Sequence, residues 1–79
     1  MKYYIIVFKN TLDAMSAEKI LKDENIIFKM MPTPTAITQS CGICVRIEEK
    51  TYIDNIISRD IIRYKNIYEK DKNEFQEII

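Results

Sequence analysis

The segment Lys2-Tyr3-Tyr4-Ile5-Ile6-Val7-Phe8 is a continuous aromatic and β-branched run, apolar at odd and even positions alike. Successive side chains of a strand point to opposite faces, so a run apolar in both registers belongs inside a sheet. It predicts a central strand covered on at least one side. A chain of 79 residues has room for one domain around such a strand, because a chain of about this size buries only roughly 60% of its unfolded surface. Residues 1–79 are therefore expected to form a single domain, with a core over 1–70 and a C-terminal tail over 71–79.

After this run the periodicity changes. Asn10 and Thr11 offer an N-cap, with Asp13 as the acidic partner three residues after Asn10. Ala14, Ala17 and Leu21 then recur at helical spacing, with Ser16, Lys19, Lys22 and Asp23 opposite. Asn25 suits a left-handed helix stop. Ile26 to Met31 reads as a second strand, ended by Pro32-Thr33-Pro34 because proline cannot donate a ladder hydrogen bond. The hydroxyl-rich stretch from Thr35 to Ser40 has no clear period and reads as a loop. From Ile43 to Glu48, the residues Ile43, Val45 and Ile47 alternate with Cys44, Arg46 and Glu48, which predicts a strand with one buried face.

Thr51 with Asp54 repeats the capping pattern, and Ile53, Ile56, Ile57, Ile61 and Tyr64 predict a second helix. Ile67-Tyr68-Glu69 reads as a short fourth strand. Asp71 with Glu74 would cap a last turn carrying Phe75, Ile78 and Ile79. The order β-α-β-β-α-β is that of the α+β, ferredoxin-like split βαβ fold, an antiparallel sheet with its helices on one face. If the other face carries Tyr4, Ile6, Phe8 and Cys44 it is too apolar to stay bare. The tail around Phe75 and Ile78, or a second copy in a homodimer, is then expected to cover it.

Composition narrows the function. Lys plus Arg and Asp plus Glu both number 12, which argues against nucleic acid as a partner, since phosphate contacts need a basic surplus. The same balance argues against a polybasic membrane anchor. No apolar run approaches the ~20 residues that span a bilayer, and the N-terminus lacks a secretory cleavage pattern. A cytoplasmic location is expected. Histidine is absent, so no imidazole stands ready to activate a nucleophile or bind a metal. Two cysteines cannot close a structural zinc site within one chain. Neither a metal nor a cofactor is expected, and Met30 and Met31 read as packing rather than copper ligands.

The remaining chemistry lies in Ser40-Cys41-Gly42-Ile43-Cys44, which holds both cysteines and the only glycine. A lone glycine beside a cysteine points to positive φ or to a close approach by another group. Cys41 lies at the end of a polar loop, where a thiol can meet solvent and a partner. The amides of Gly42 and Ile43, turned toward that sulfur, would favour an anion there. Thr38 and Ser40 would add hydroxyl donors, and Arg46 is the nearest cation in sequence. Three readings stand side by side. Cys41 carries a transferable group with Cys44 as a resolving thiol; Cys41 and Cys44 form a dithiol redox pair; or both pack inside a binding module without thiol chemistry. A redox C-x-x-C normally feeds a helix whose N-terminus activates the first cysteine, whereas this one feeds a strand.

The opening Tyr4-Ile5-Ile6-Val7-Phe8, the Met31-Pro32-Thr33-Pro34 turn and the Ser40-Cys41-Gly42 segment resemble the selenium/sulfur carrier protein-like family of small bacterial and archaeal proteins. The resemblance runs over residues 1–70 and is most specific from Pro32 to Cys44. It implies a ferredoxin-like domain that carries sulfur or selenium on Cys41 as a persulfide or perselenide. By that resemblance the chain is a carrier rather than a catalyst, and its partners are sulfur or selenium donor and acceptor proteins. The family pattern does not require cysteine at position 44, and Thr35 stands where many members have a basic residue.

Overall fold

A computed structural model describes residues 2–37 and 42–79. Its elements are β1 (Lys2–Val7), α1 (Thr11–Asp23), β2 (Lys29–Pro32), β3 (Ile43–Ile47), α2 (Lys50–Arg59), β4 (Asn66–Asp71) and β5 (Glu74–Glu77). The protein is a small α+β structure with one five-stranded sheet in the order β2-β3-β1-β4-β5. Every neighbouring pair is antiparallel. β1 is central, as its two-sided apolar run requires, and pairs with β3 on one side and β4 on the other.

Alternation along β1 divides the core. Tyr4 and Ile6, with Phe8 just beyond the strand, share a buried cluster with Ala14, Ala17 and Leu21 of α1 and with Ile53 and Ile56 of α2. Both helices therefore cover the same face of the sheet. Alanine at 14 and 17 leaves α1 with no bulk to hold it off β3. Ile5 and Val7 point the other way and form a second cluster with Cys44 and Ile37.

This register corrects the expected face assignment. Val7, not Ile6, stands opposite Cys44, so Cys44 does not share a face with Tyr4, Ile6 and Phe8. Those three are covered by helices, which removes the ground for expecting a second copy over them. The helix-free face closes largely on itself. The Arg46 guanidinium lies 3.8 Å from the centre of the Tyr3 ring, and the Lys70 ammonium lies 4.4 Å from that of Phe75. Tyr68 donates to Glu77 at 3.4 Å. These long side chains lay their apolar parts over the sheet, and Arg46 is drawn in far enough that its Nε is buried.

Element ends follow local chemistry. The Asp13 amide donates to the Asn10 side chain at 2.8 Å, the expected cap. Asn25 has φ 58 and follows the last turn of α1. The second helix departs from expectation at both ends. It begins at Lys50 behind Glu49, which makes no side-chain cap bond, and it stops at Arg59 because Asp60 turns left-handed at φ 53. Ile61 and Tyr64 therefore pack from the α2–β4 connection, although they continue the helical spacing. β2 starts only at Lys29, since the Ile26 amide is taken by the Leu21 carbonyl at 3.0 Å. The expected C-terminal capping turn is a strand instead. Asp71 and Glu74 face each other across a two-residue turn, and β5 pairs with β4, with Lys72 at φ 59 taking the tight bend.

One exposed ion pair ties the helices together. Arg59, in the last turn of α2, donates to both carboxylate oxygens of Glu24 at 2.7 and 3.4 Å. The Arg59 hydrogen bond and charge hold the Glu24 carboxyl below its ordinary value of 4.5. A depressed carboxylate stabilises the fold above its unfolded pKa and loses that contribution as pH falls through the folded one. Melting curves of the Glu24→Gln variant are therefore expected to depend less on pH below about 4.5 than those of the parent. Identical acid limbs would mean that the pair contributes nothing.

Candidate functional site

The fold brings β2 and β3 together so that the connection carrying Cys41 leaves the sheet after Pro32 and re-enters it at Ile43, the residue before Cys44. Pro32 faces Ile43 as the last strand pair. One step further, the Thr33 amide donates to the Gly42 carbonyl at 3.1 Å, which closes the base of the excursion. Thr38, Ser40 and Cys41 lie outside the described residues, and so does the anion-stabilising arrangement expected around the Cys41 sulfur.

Cys44 is fully buried near the start of β3. It stands in one cross-strand row with Met31 and Val7, and its thiol donates to the Pro32 carbonyl at 3.7 Å. The second position of the C-x-x-C pattern is thus a core thiol of the helix-free face. Ile43 is half-buried and packs toward the helix side. Arg46 shares the Cys44 face, as the alternation predicts, but its guanidinium is stacked on Tyr3 and lies 3.8 Å from Glu48. It points along the sheet toward the end remote from Gly42.

Gly42 departs from expectation. Its φ is not positive, and a Cβ built there would meet no heavy atom within 4 Å. Among the described residues, neither a left-handed turn nor a close approach accounts for the glycine. Gly42→Ala is accordingly expected to leave stability unchanged or to raise it by about 0.4–1 kcal/mol, through the narrower unfolded ensemble. Chemical denaturation measures this, and a loss of 1 kcal/mol or more would contradict the backbone described here.

Sequence reasoning missed Ile37. It is 7% exposed, and a turn in which its amide donates to the Pro34 carbonyl at 3.0 Å brings it to the cluster of Ile5, Val7 and Cys44. The available signal was a single large aliphatic residue in an otherwise small and hydroxylated stretch. Among the described residues, no group of three or more Cys, Asp or Glu is placed to hold a metal ion. No helix among them is long and apolar enough to cross a membrane. A cavity of about 480 Å³ lined by Ile27, Phe28, Arg46 and Glu48 opens at the start of β2 beside the end of β3, and Cys44 does not line it.

A family model described as "Putative Se/S carrier protein-like" matches residues 3–69. The chain belongs to that family. The matched span takes in β1 through most of β4 and both cysteines, while β5 lies beyond it. The excursion between Pro32 and Ile43 lies within the span matched by the Se/S carrier protein-like family model. No curated protein and no solved structure matches the chain.

Proposed function

We propose that this protein carries sulfur or selenium as a persulfide or perselenide on Cys41, on a ferredoxin-like split βαβ scaffold, for transfer between a donor and an acceptor protein. Membership of the Se/S carrier protein-like family over residues 3–69 carries the reading. The scaffold is supported by the strand order, in which α1 links two strands that flank β3 and α2 links two that flank β1.

The chemistry needs little from the protein. A donor persulfide presents an electrophilic outer sulfur, the Cys41 thiolate attacks it, and the donor's inner sulfur leaves as a thiolate. No imidazole is required, in keeping with a chain that has no histidine. Burial of Cys44 supports unequal roles for the two thiols, with Cys41 as the loaded position. Gly42 and Ile43 then supply backbone beside the cargo, with Thr38 and Ser40 as hydroxyl donors.

The test is anaerobic incubation with a cysteine desulfurase and either cysteine or selenocysteine, followed by intact mass. The protein is expected to gain the mass of one sulfur or one selenium atom in a form that a dithiol reductant removes. An unchanged mass with an active desulfurase would defeat the proposal. Catalytic reduction of insulin disulfides would instead favour the dithiol redox reading.

A further inference from the structure

Cys44 is a nucleophile that the fold keeps out of reach. It is fully buried in a row between Val7 and Met31. Its thiol donates to the Pro32 carbonyl, a contact that a thiolate cannot make. Both helices cover the opposite face, so the cover for Cys44 has another source. Ile5, Val7 and Cys44 belong to strands, and among the described residues Ile37 is the one buried member of their cluster that comes from a connection. Strand residues are held by ladders on both sides. Ile37 is held by its own burial and a single turn bond, between the exposed Ala36 and the closing Thr33–Gly42 contact. Segments with few buried contacts open at lower free energy than the sheet they lie on.

We propose that Ile37 is a removable cover over Cys44, and that a partner which lifts the 33–37 connection off the sheet admits Cys44 to thiol exchange as the discharging thiol. The discharge step rests on the carrier reading; the cover does not. With Ile37 seated, cargo on Cys41 has no internal competitor. With Ile37 displaced, the Cys44 thiol gives up its proton and attacks the Cys41 sulfur. The Cys41–cargo bond breaks, a Cys41–Cys44 disulfide forms, and the outer sulfur leaves as hydrosulfide. The cargo sulfur is reduced by the two electrons that the cysteines lose, and an external dithiol reductant returns the disulfide to two thiols.

The experiment measures labelling of Cys44 by 5,5′-dithiobis(2-nitrobenzoate) in the full-length Cys41→Ser variant under native conditions. Slow labelling is expected, and adding Ile37→Ala should accelerate it by about tenfold or more beyond what its change in global stability explains. Ile56→Val, which loosens the helix-side core, serves as the control and should label only as its global stability dictates. Prompt labelling with Ile37 intact, or an Ile37→Ala rate that tracks global unfolding alone, would overturn the cover. A second arm loads Cys41 with inorganic polysulfide and follows hydrosulfide release. Ile37→Ala should release faster than the parent, and Ile37→Ala/Cys44→Ser should not. Loading without that difference would overturn the discharge step. If labelling behaves as expected and no variant takes up sulfur, the carrier reading fails and the cover stands.

Discussion

Replacing Cys41 by serine is expected to take sulfur or selenium loading from about one atom per chain to none. Exchange between sulfurs proceeds through a thiolate, and an ordinary thiol with a pKa of about 8.5 is already a few per cent ionised at neutral pH. A serine hydroxyl is not measurably ionised there, and an oxygen at that position cannot form the sulfur–sulfur bond that holds the cargo. The loss should therefore be complete rather than graded. Cys44 cannot substitute, because its sulfur is fully buried. The informative companion is Cys44→Ser, which is expected to load as the parent does. Intact mass after desulfurase treatment reads both, and loading of Cys41→Ser with loss in Cys44→Ser would reverse the assignment.

The second large effect concerns the fold. Phe8→Ala is expected to cost about 3–5 kcal/mol, against a total of roughly 4–12 kcal/mol for a domain of this length at typical per-residue stability. Phe8 heads the largest fully buried side chains and lies in the cluster under both helices. Its removal empties a ring-sized volume where α1, α2 and the sheet meet, and alanines already line α1, so no neighbour there can swing in to fill it. Denaturant titration followed by circular dichroism should find a much lower midpoint, or a chain without a cooperative transition. Tyr3→Ala on the helix-free face should cost distinctly less, because Tyr3 is only half-buried and packs at the rim of the smaller cluster. Equal losses at both positions would contradict the division of the core into two unequal clusters.

Period and capping chemistry made much of the architecture legible. The two-sided apolar run placed β1 at the centre, Asn10 with Asp13 fixed the start of α1, and the alternation from Ile43 to Ile47 put Cys44 and Arg46 on one face. The misreadings arose where a long-range choice decided between local options. Ile61 and Tyr64 continue the spacing of α2, yet the left-handed turn at Asp60 ends it, and aspartate at such a turn is a weak signal. Asp71 and Glu74 fit a helix cap as well as a hairpin, and only pairing with β4 distinguishes the two. The face of Cys44 depended on the register between β1 and β3, where a slip of one residue exchanges the faces.

For the site, the residues narrow the chemistry to consider but do not give its geometry. Cysteine spacing and the absence of histidine limit the reactions, and family membership supplies the carrier class. The burial of Cys44 and the seating of Ile37 depend on a face that no helix covers, and a period count along one segment does not reveal that.

The central place of β1 also sets the order of events as the chain is made. Val7 pairs with Cys44 and with Asn66, and Lys2 with Asp71, so β1 is made well before either of its neighbours and waits for β3 and β4 to complete its ladders. Until β3 and β4 follow, Tyr3 through Phe8 is an uncharged, aromatic and β-branched segment with both edges open, the composition most prone to intermolecular strand pairing. Lys2 and Lys9 flank that run as charges against such pairing. The position that gives β1 its neighbours on both sides in the finished sheet thus makes the nascent chain dependent on rapid synthesis of its second half, or on a chaperone that shields the first.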